Sequence, residues 1–80
     1  MIDILVCYAD TEKAIGTLEF REVPRPGEFI RIANPAGDWD LYRVSATVHT
    51  GIEHRRTEDG MKEPPLIEIY CEFYRSVDID

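Results

Sequence analysis

The sequence predicts a small all-β domain whose five strands close into a barrel or form one strongly bent antiparallel sheet, with a projecting hairpin arm. Two observations lead to this fold class. Apolar and polar residues alternate with a period of two over most of the chain, which is typical of half-buried strands. No segment of ten or more residues has the spacing of apolar residues that an amphipathic helix requires.

Length and composition predict a single domain over residues 1–80, with a core at about 1–49 and 66–74 and an arm or loop at about 50–65. Hydrophobic residues make up 44% of the chain and charged residues 31%, which is the balance of a globular rather than a disordered protein. Because a chain of this size builds only a thin core, its free energy of unfolding should be small.

The alternation places the five strands at residues 2–8, 17–23, 29–33, 40–48 and 66–73. In the first strand, Leu5 and Cys7 make the second face apolar as well, so we expect this strand to be covered on both sides. In the second strand, Leu18 and Phe20 should point inward. The segment 24–28 then forms a tight corner, because its two prolines lack ladder donors and a glycine follows them.

The loop at residues 34–38 sets the register between the third and fourth strands. One loop length would place Arg43 in the core opposite Ile30. One more loop residue pairs Ile30 with Tyr42 and Phe29 with Arg43 instead. We prefer the second register, because a slip of one residue moves every side chain of a strand to the opposite face.

The inner faces of the last two strands predict a second register. It pairs Tyr42 with Phe73, Val44 with Cys71, Ala46 with Ile69 and Val48 with Ile67. Continued outward, this register turns residues 50–65 into a two-stranded arm that projects past the core. A disordered loop is the alternative, since the two adjacent prolines near its end cannot donate to the ladder.

Cysteine usage and the N-terminal residues favour a cytoplasmic protein. Cys7 and Cys71 fall in strand interiors and are expected to be reduced, buried thiols rather than a disulfide. Asp3 interrupts the apolar run that a signal peptide needs. No segment approaches the roughly 20 apolar residues of a membrane-spanning helix, so no membrane partner is expected.

The formal net charge of −7, from nine basic and sixteen acidic residues, bears on the choice of partner. Affinity for duplex nucleic acid comes largely from lysine and arginine side chains that neutralise phosphates. Nucleic acid and anionic membranes are therefore disfavoured as partners.

The sequence shows no catalytic residues, no metal site and no cofactor motif, so we expect a protein that is not an enzyme. His49 and His54 are too few for a structural metal site, and no Cys-x-x-Cys pattern accompanies them. Ser45 and His49 would lie roughly 13 Å apart along one strand, too far for nucleophile and base to form a hydrogen bond.

A local basic stretch in the predicted arm is a candidate anion-binding site. It consists of His54, Arg55 and Arg56. The alternative is a solvated hairpin tip, in which nearby acidic side chains balance the positive charge. Those acidic residues are Glu53, Glu58, Asp59 and Glu63.

The outer face of the central strands carries the candidate partner-binding residues. They are Phe29, Trp39, Leu41, Arg43 and Tyr70. A cluster of exposed aromatic residues on a soluble protein indicates a surface that another group buries. Aromatic and arginine side chains are also the usual anchors of protein interfaces. The cover could be a protein partner or a second copy of the chain. It could also be the N-terminal strand or the tail at residues 76–80.

Single-stranded nucleic acid is a further occupant of the same outer face, where bases would stack on the aromatic rings. The arginines available to it are Arg21, Arg31 and Arg43, whereas Glu19, Glu68 and Glu72 interleave with them and weaken this interpretation.

The segment Val23–Ile32, followed by Leu41–Val44 and by Val48 and His49, resembles a type of short, uncharacterised bacterial protein. Those proteins carry a Pro-x-x-Gly-(Glu/Asp)-x-Ile motif where a strand begins, then a strand rich in tyrosine and valine, then a final strand. The resemblance covers about residues 17–73 and implies a small SH3-like barrel, with no activity or catalytic residues attached. Our hypothesis is a non-catalytic cytoplasmic protein-interaction module, self-associating or bound to another protein, with single-stranded nucleic-acid binding as the alternative.

Overall fold

A computed structural model describes residues 1–51 and 66–77, and these residues form one five-stranded sheet. The strands are β1 (Ile2–Tyr8), β2 (Ala14–Phe20), β3 (Phe29–Ala33), β4 (Trp39–His49) and β5 (Ile67–Val77). The all-β class is confirmed. The sheet order is β2-β1-β5-β4-β3, so β2 and β3 are the edge strands among the described residues, and the sheet does not close into the barrel that we considered.

The sheet is mixed rather than antiparallel, because β5 returns to its middle and runs parallel to β1. The other neighbouring pairs are antiparallel. A strand with neighbours on both sides and with both faces covered has to be apolar throughout. The part of β1 from Ile4 to Cys7 meets this requirement, as predicted, since Val6 is fully buried on one face and Cys7 is buried on the other.

The core lies on the inner face of a strongly bent sheet. Ile4 of β1 and Ile30 of β3 belong to the same buried cluster, although β5 and β4 separate their strands. A flat sheet would hold these two strands roughly 14 Å apart, at about 4.8 Å per strand, so the sheet has to curve around the cluster. The buried members are Ile4, Val6, Ile30, Tyr42, Val44, Ile69 and Cys71.

The preferred register between β3 and β4 is confirmed, with Ile30 opposite Tyr42 and Phe29 opposite Arg43. The loop at residues 34–38 closes on Asn34, whose side-chain Oδ1 accepts hydrogen bonds from the backbone N–H groups of Ala36 and Asp38 at 3.0 and 3.1 Å. Gly37 lies at φ 90°, a conformation that side chains with a Cβ rarely adopt.

The predicted register between β4 and β5 is right for Tyr42–Phe73 and Val44–Cys71 but wrong beyond Val44. The ladder shifts between Val44 and Ala46, so Ser45 is an extra residue on β4, which is the geometry of a β-bulge. After the bulge the side chains change faces. Thr47, opposite Ile69, replaces Ala46 in the inner row, and Val48 is left 41% exposed rather than inward.

Other differences from the expected strands have local causes. β2 begins at residue 14 rather than 17, because a tight turn in which Tyr8 N donates to Lys13 O ends immediately before it. β5 continues to Val77 rather than stopping at 73, because Trp39 and Asp40 of β4 pair with its last residues. Phe73 lies opposite Tyr42 on the inner side, as expected, but is 56% exposed.

The two ends of the predicted arm leave the sheet side by side, since Thr50 N donates to Leu66 O at 2.7 Å. The remainder of the arm, 52–65, lies outside the described residues, as do 78–80. In the described part of the chain, no helix is long and apolar enough to cross a membrane.

Both cysteines are buried free thiols, in agreement with the sequence-based expectation. They lie on adjacent parallel strands, but Cys7 is level with Tyr70 and Cys71 with Tyr8, so their side chains point to opposite faces. A disulfide needs both Cβ atoms directed toward each other. Burial raises the pKa of the Cys71 thiol to about 11, and burial also raises the pKa of Cys7.

Candidate functional site

The outer face of β3, β4 and β5 brings most of the predicted partner-binding residues together. The register aligns Phe29, Arg43 and Glu72 in one row across the three strands. We call this surface the aromatic–arginine face. Its members are Phe29, Arg31, Trp39, Leu41, Arg43, Glu72, Tyr74 and Arg75.

Exposed aromatic rings form the apolar part of the face. Phe29 is 49% exposed and Tyr74 is 59% exposed, and their rings pack edge to face with centroids 5.1 Å apart. Trp39 is also exposed, and Leu41 is half-buried. An aromatic pair of this geometry contributes about 0.5–1.5 kcal/mol, so the two rings hold each other in place before any partner binds.

A second irregularity of the sheet puts Tyr74 in this position. Tyr42 pairs with Phe73, but the preceding residue Leu41 pairs with Arg75, so Tyr74 is an extra residue on β5. Without this shift, Tyr74 would be directly opposite Leu41. The bulge leaves it free to pack against Phe29, two strands away.

The aromatic–arginine face is basic on an acidic chain. Among its described members, three arginines, Arg31, Arg43 and Arg75, stand against one glutamate, Glu72. The whole chain has a formal charge of −7. Of the other acidic residues that we expected to interleave, Glu19 belongs to β2 at the far edge, whereas Glu68 lies on the outer face of β5 and accepts a hydrogen bond from the Tyr70 hydroxyl.

The sequence pattern did not indicate Tyr74 and Arg75 as members of the face, because the last strand was expected to end at 73. The tyrosine and valine of Phe73-Tyr-Arg-Ser-Val77 are favourable strand residues and could have indicated a longer strand. Alternation after Phe73 would have placed Tyr74 on the outer face, but the outward position of Arg75 could not have been derived, because it depends on the bulge.

Tyr70, which we predicted to belong to the partner-binding set, lies on the same outer face of β5 as Glu72, two residues away along the strand. Its hydroxyl donates to Glu68 Oε2 at 2.9 Å, and this hydrogen bond to the carboxylate raises the pKa of Tyr70. It lies level with Cys7 of β1 and opposite Ala46 of β4, the residue that follows the Ser45 bulge. Ser45 Oγ donates to the Tyr70 carbonyl at 3.0 Å, so the expected proximity of these two residues is found.

A shallow depression of about 370 Å³ opens beside Arg43. Pro26, Gly27, Ser45 and Glu72 line it together with Arg43. Gly27 N donates to Val44 O at 2.8 Å, which ties the proline-containing corner to β4 and fixes one wall of the depression.

A larger groove of about 720 Å³ lies on the other side of the same corner, lined in part by Ile2, Arg21, Arg25, Glu28 and His49. Glu28 does not point freely into it, since its Oε1 accepts a hydrogen bond from Arg25 N at 2.6 Å. The lining combines both signs of charge and also includes Thr47, whose hydroxyl donates to Pro24 O at 2.7 Å.

Three further sequence predictions concern anion binding, cover of the outer face and metal binding. The candidate anion-binding residues His54, Arg55 and Arg56 lie outside the described residues. Cover of the outer face by the N-terminal strand is wrong, because β1 is a member of the sheet between β2 and β5. Over residues 1–51 and 66–77, no group of three or more histidine, cysteine, aspartate or glutamate residues could hold a metal ion.

The chain was compared with models of known protein families, with curated proteins and with solved structures. None of the three comparisons found a match. The resemblance to short bacterial β-proteins therefore stays a prediction.

Proposed function

We propose that this protein is a non-catalytic, cytoplasmic interaction module that binds a protein partner through the aromatic–arginine face. The observation that supports this most is the exposed Phe29–Tyr74 pair beside three arginines on one sheet face. Self-association through the same face is one form of the proposal, and no cofactor is part of it.

The chemistry of the face suits a protein interface. Interface centres are enriched in aromatic and arginine residues, because such side chains bury a large area and still satisfy hydrogen bonds. The two rings are already packed together, so less side-chain entropy is lost when a partner covers them. The depression beside Arg43 offers a place for one anchoring side chain.

The first test is affinity capture of the tagged protein from native lysate, with and without nuclease, read by mass spectrometry. Trp39→Ser removes an exposed ring from the face and should lose the partner. Phe73→Ser is the control, since Phe73, like Trp39, is an exposed aromatic residue but lies level with Tyr42 on the inner side. Equal partner recovery by both folded variants would contradict the proposal.

Single-stranded nucleic acid is the second candidate, and the local charge favours it more than the overall charge does. Bases stack on exposed aromatic rings while arginines neutralise phosphates. Its affinity should fall steeply with ionic strength, whereas binding to an apolar protein surface should change little. Loss of every captured component after nuclease would favour this candidate instead.

A further inference from the structure

β3 is an open edge of the sheet, and its backbone can accept another strand. Val44 N donates to Glu28 O and Asn34 N donates to Asp38 O, so the even-numbered residues of this segment bond toward β4. The N–H and C=O groups of Phe29, Arg31 and Ala33 must then point away from β4. Among the residues that the structure describes, no strand lies on that side.

The side chains next to this edge define what an added strand would carry. On the outer face, Phe29 and Arg31 lie at the edge, with Arg43 behind them. On the inner face, Ile30 and Ile32 point toward the core, and Phe20 and Ile30 line a shallow opening of about 240 Å³. An added strand would therefore meet arginine on one face and apolar groups on the other.

We propose that β3 binds an extended protein segment in which acidic and apolar residues alternate, added as a sixth strand. The acidic side chains would lie beside the arginines of the aromatic–arginine face, and the apolar ones would cover the inner rim. Main-chain hydrogen bonds supply the affinity and alternate side chains the specificity. This inference rests on the proposed function and specifies the partner and how it binds.

The other edge and a second copy of the chain are poorer alternatives. β2 carries Glu19 on its outer face, which would repel an acidic strand, and its ladder is irregular near Gly16. A second copy would bring another formal charge of −7 and would place the same arginine-bearing edge against itself. Charge complementarity therefore favours an acidic segment of a different protein at β3.

The probe is a short labelled peptide in which glutamate alternates with valine, measured by fluorescence anisotropy. A peptide of the same composition with its glutamates and valines in separate blocks is the control. We expect the alternating peptide to bind at least about tenfold more tightly. Equal affinity for the two peptides would overturn the proposal, as would preferential binding of a labelled oligothymidylate.

Two variants separate backbone addition from contact with the face alone. Ala33→Pro removes an N–H that points to the open edge, whereas Ala33→Ser keeps it. Ala33→Pro should weaken peptide binding by at least about tenfold, and Ala33→Ser should bind as the wild type does. Circular dichroism establishes that both variants fold.

N-methylated peptides give the same test with unmodified protein. Successive N–H groups of a strand point to opposite sides, so methylating the glutamate amides or the valine amides should abolish binding in only one case. The sensitive set reports whether the added strand is antiparallel or parallel. Equal sensitivity to both sets would overturn strand addition. A natural partner that Trp39→Ser loses but Ala33→Pro retains would leave the proposed function standing and refute this inference alone.

Discussion

Two valines on β4 test the register shift at Ser45. The sequence placed Val44 and Val48 in one inward row, but the structure leaves Val44 1% exposed and Val48 41% exposed. Each is to be replaced by alanine. The two substitutions remove the same atoms from the same strand. The difference between their effects on the free energy of unfolding therefore reports which way each side chain points.

The expected decreases in the free energy of unfolding follow from the burial of the two side chains. Truncating Val44 removes two buried methyl groups, worth about 1.6 kcal/mol of transfer free energy, and leaves a cavity, for a total of about 2–3 kcal/mol. Truncating Val48 should cost less than about 1 kcal/mol, because its side chain is already partly in water. For a domain of this size, Val44→Ala should lower the melting temperature by roughly 10–20 °C.

Urea unfolding followed by the fluorescence of Trp39, the one tryptophan of the chain, gives both free energies. The melting temperatures from circular dichroism provide a second measurement. Equal destabilisation by the two substitutions would refute the bulge and support the uninterrupted register.

Two further predictions concern stability. Asn34→Ala removes the acceptor for the N–H groups of Ala36 and Asp38, and should lower the free energy of unfolding by about 1–2 kcal/mol in urea titrations; an unchanged value would mean that water replaces these bonds. Burial raises the pKa of the Cys71 thiol to about 11, so this thiol ionises at a lower pH in the unfolded chain than in the folded one. Its contribution to the free energy of unfolding is therefore complete below about pH 9 and is lost as the pH rises toward 11. Cys71→Ala should therefore show a smaller alkaline decrease in unfolding free energy than the wild type, although Tyr42, with a pKa of about 12, also contributes at the upper end; identical slopes would contradict this account.

The alternation of side chains was sufficient to predict the parts of the sheet where one face is buried without interruption. Placing Arg43 in the core would have left a charge without water, so the β3–β4 register followed from the sequence. The two-sided apolar character of β1 likewise indicated a covered strand, although it did not show that β5 would be its parallel neighbour.

The bulges could not be derived from the pattern. At Ser45, an uninterrupted ladder would turn Ala46 inward, whereas the bulged ladder turns Thr47 inward. Both are small side chains that fit the inner row, so the choice depends on tertiary contacts. One of these is the hydrogen bond from Thr47 Oγ1 to Pro24 O at 2.7 Å, which links the inner row of β4 to the proline-containing corner. The candidate site depended in part on the second bulge, since it places Arg75 opposite Leu41 on the outer face rather than opposite Asp40.

The matched pair Phe29→Ser and Phe73→Ser tests the central claim most directly, using a captured partner in calorimetric titrations. Both residues are about half exposed, but only Phe29 lies on the aromatic–arginine face. The proposed function predicts that Phe29→Ser weakens binding at least about tenfold while Phe73→Ser binds as the wild type does. Unchanged affinity of a folded Phe29→Ser variant would contradict it.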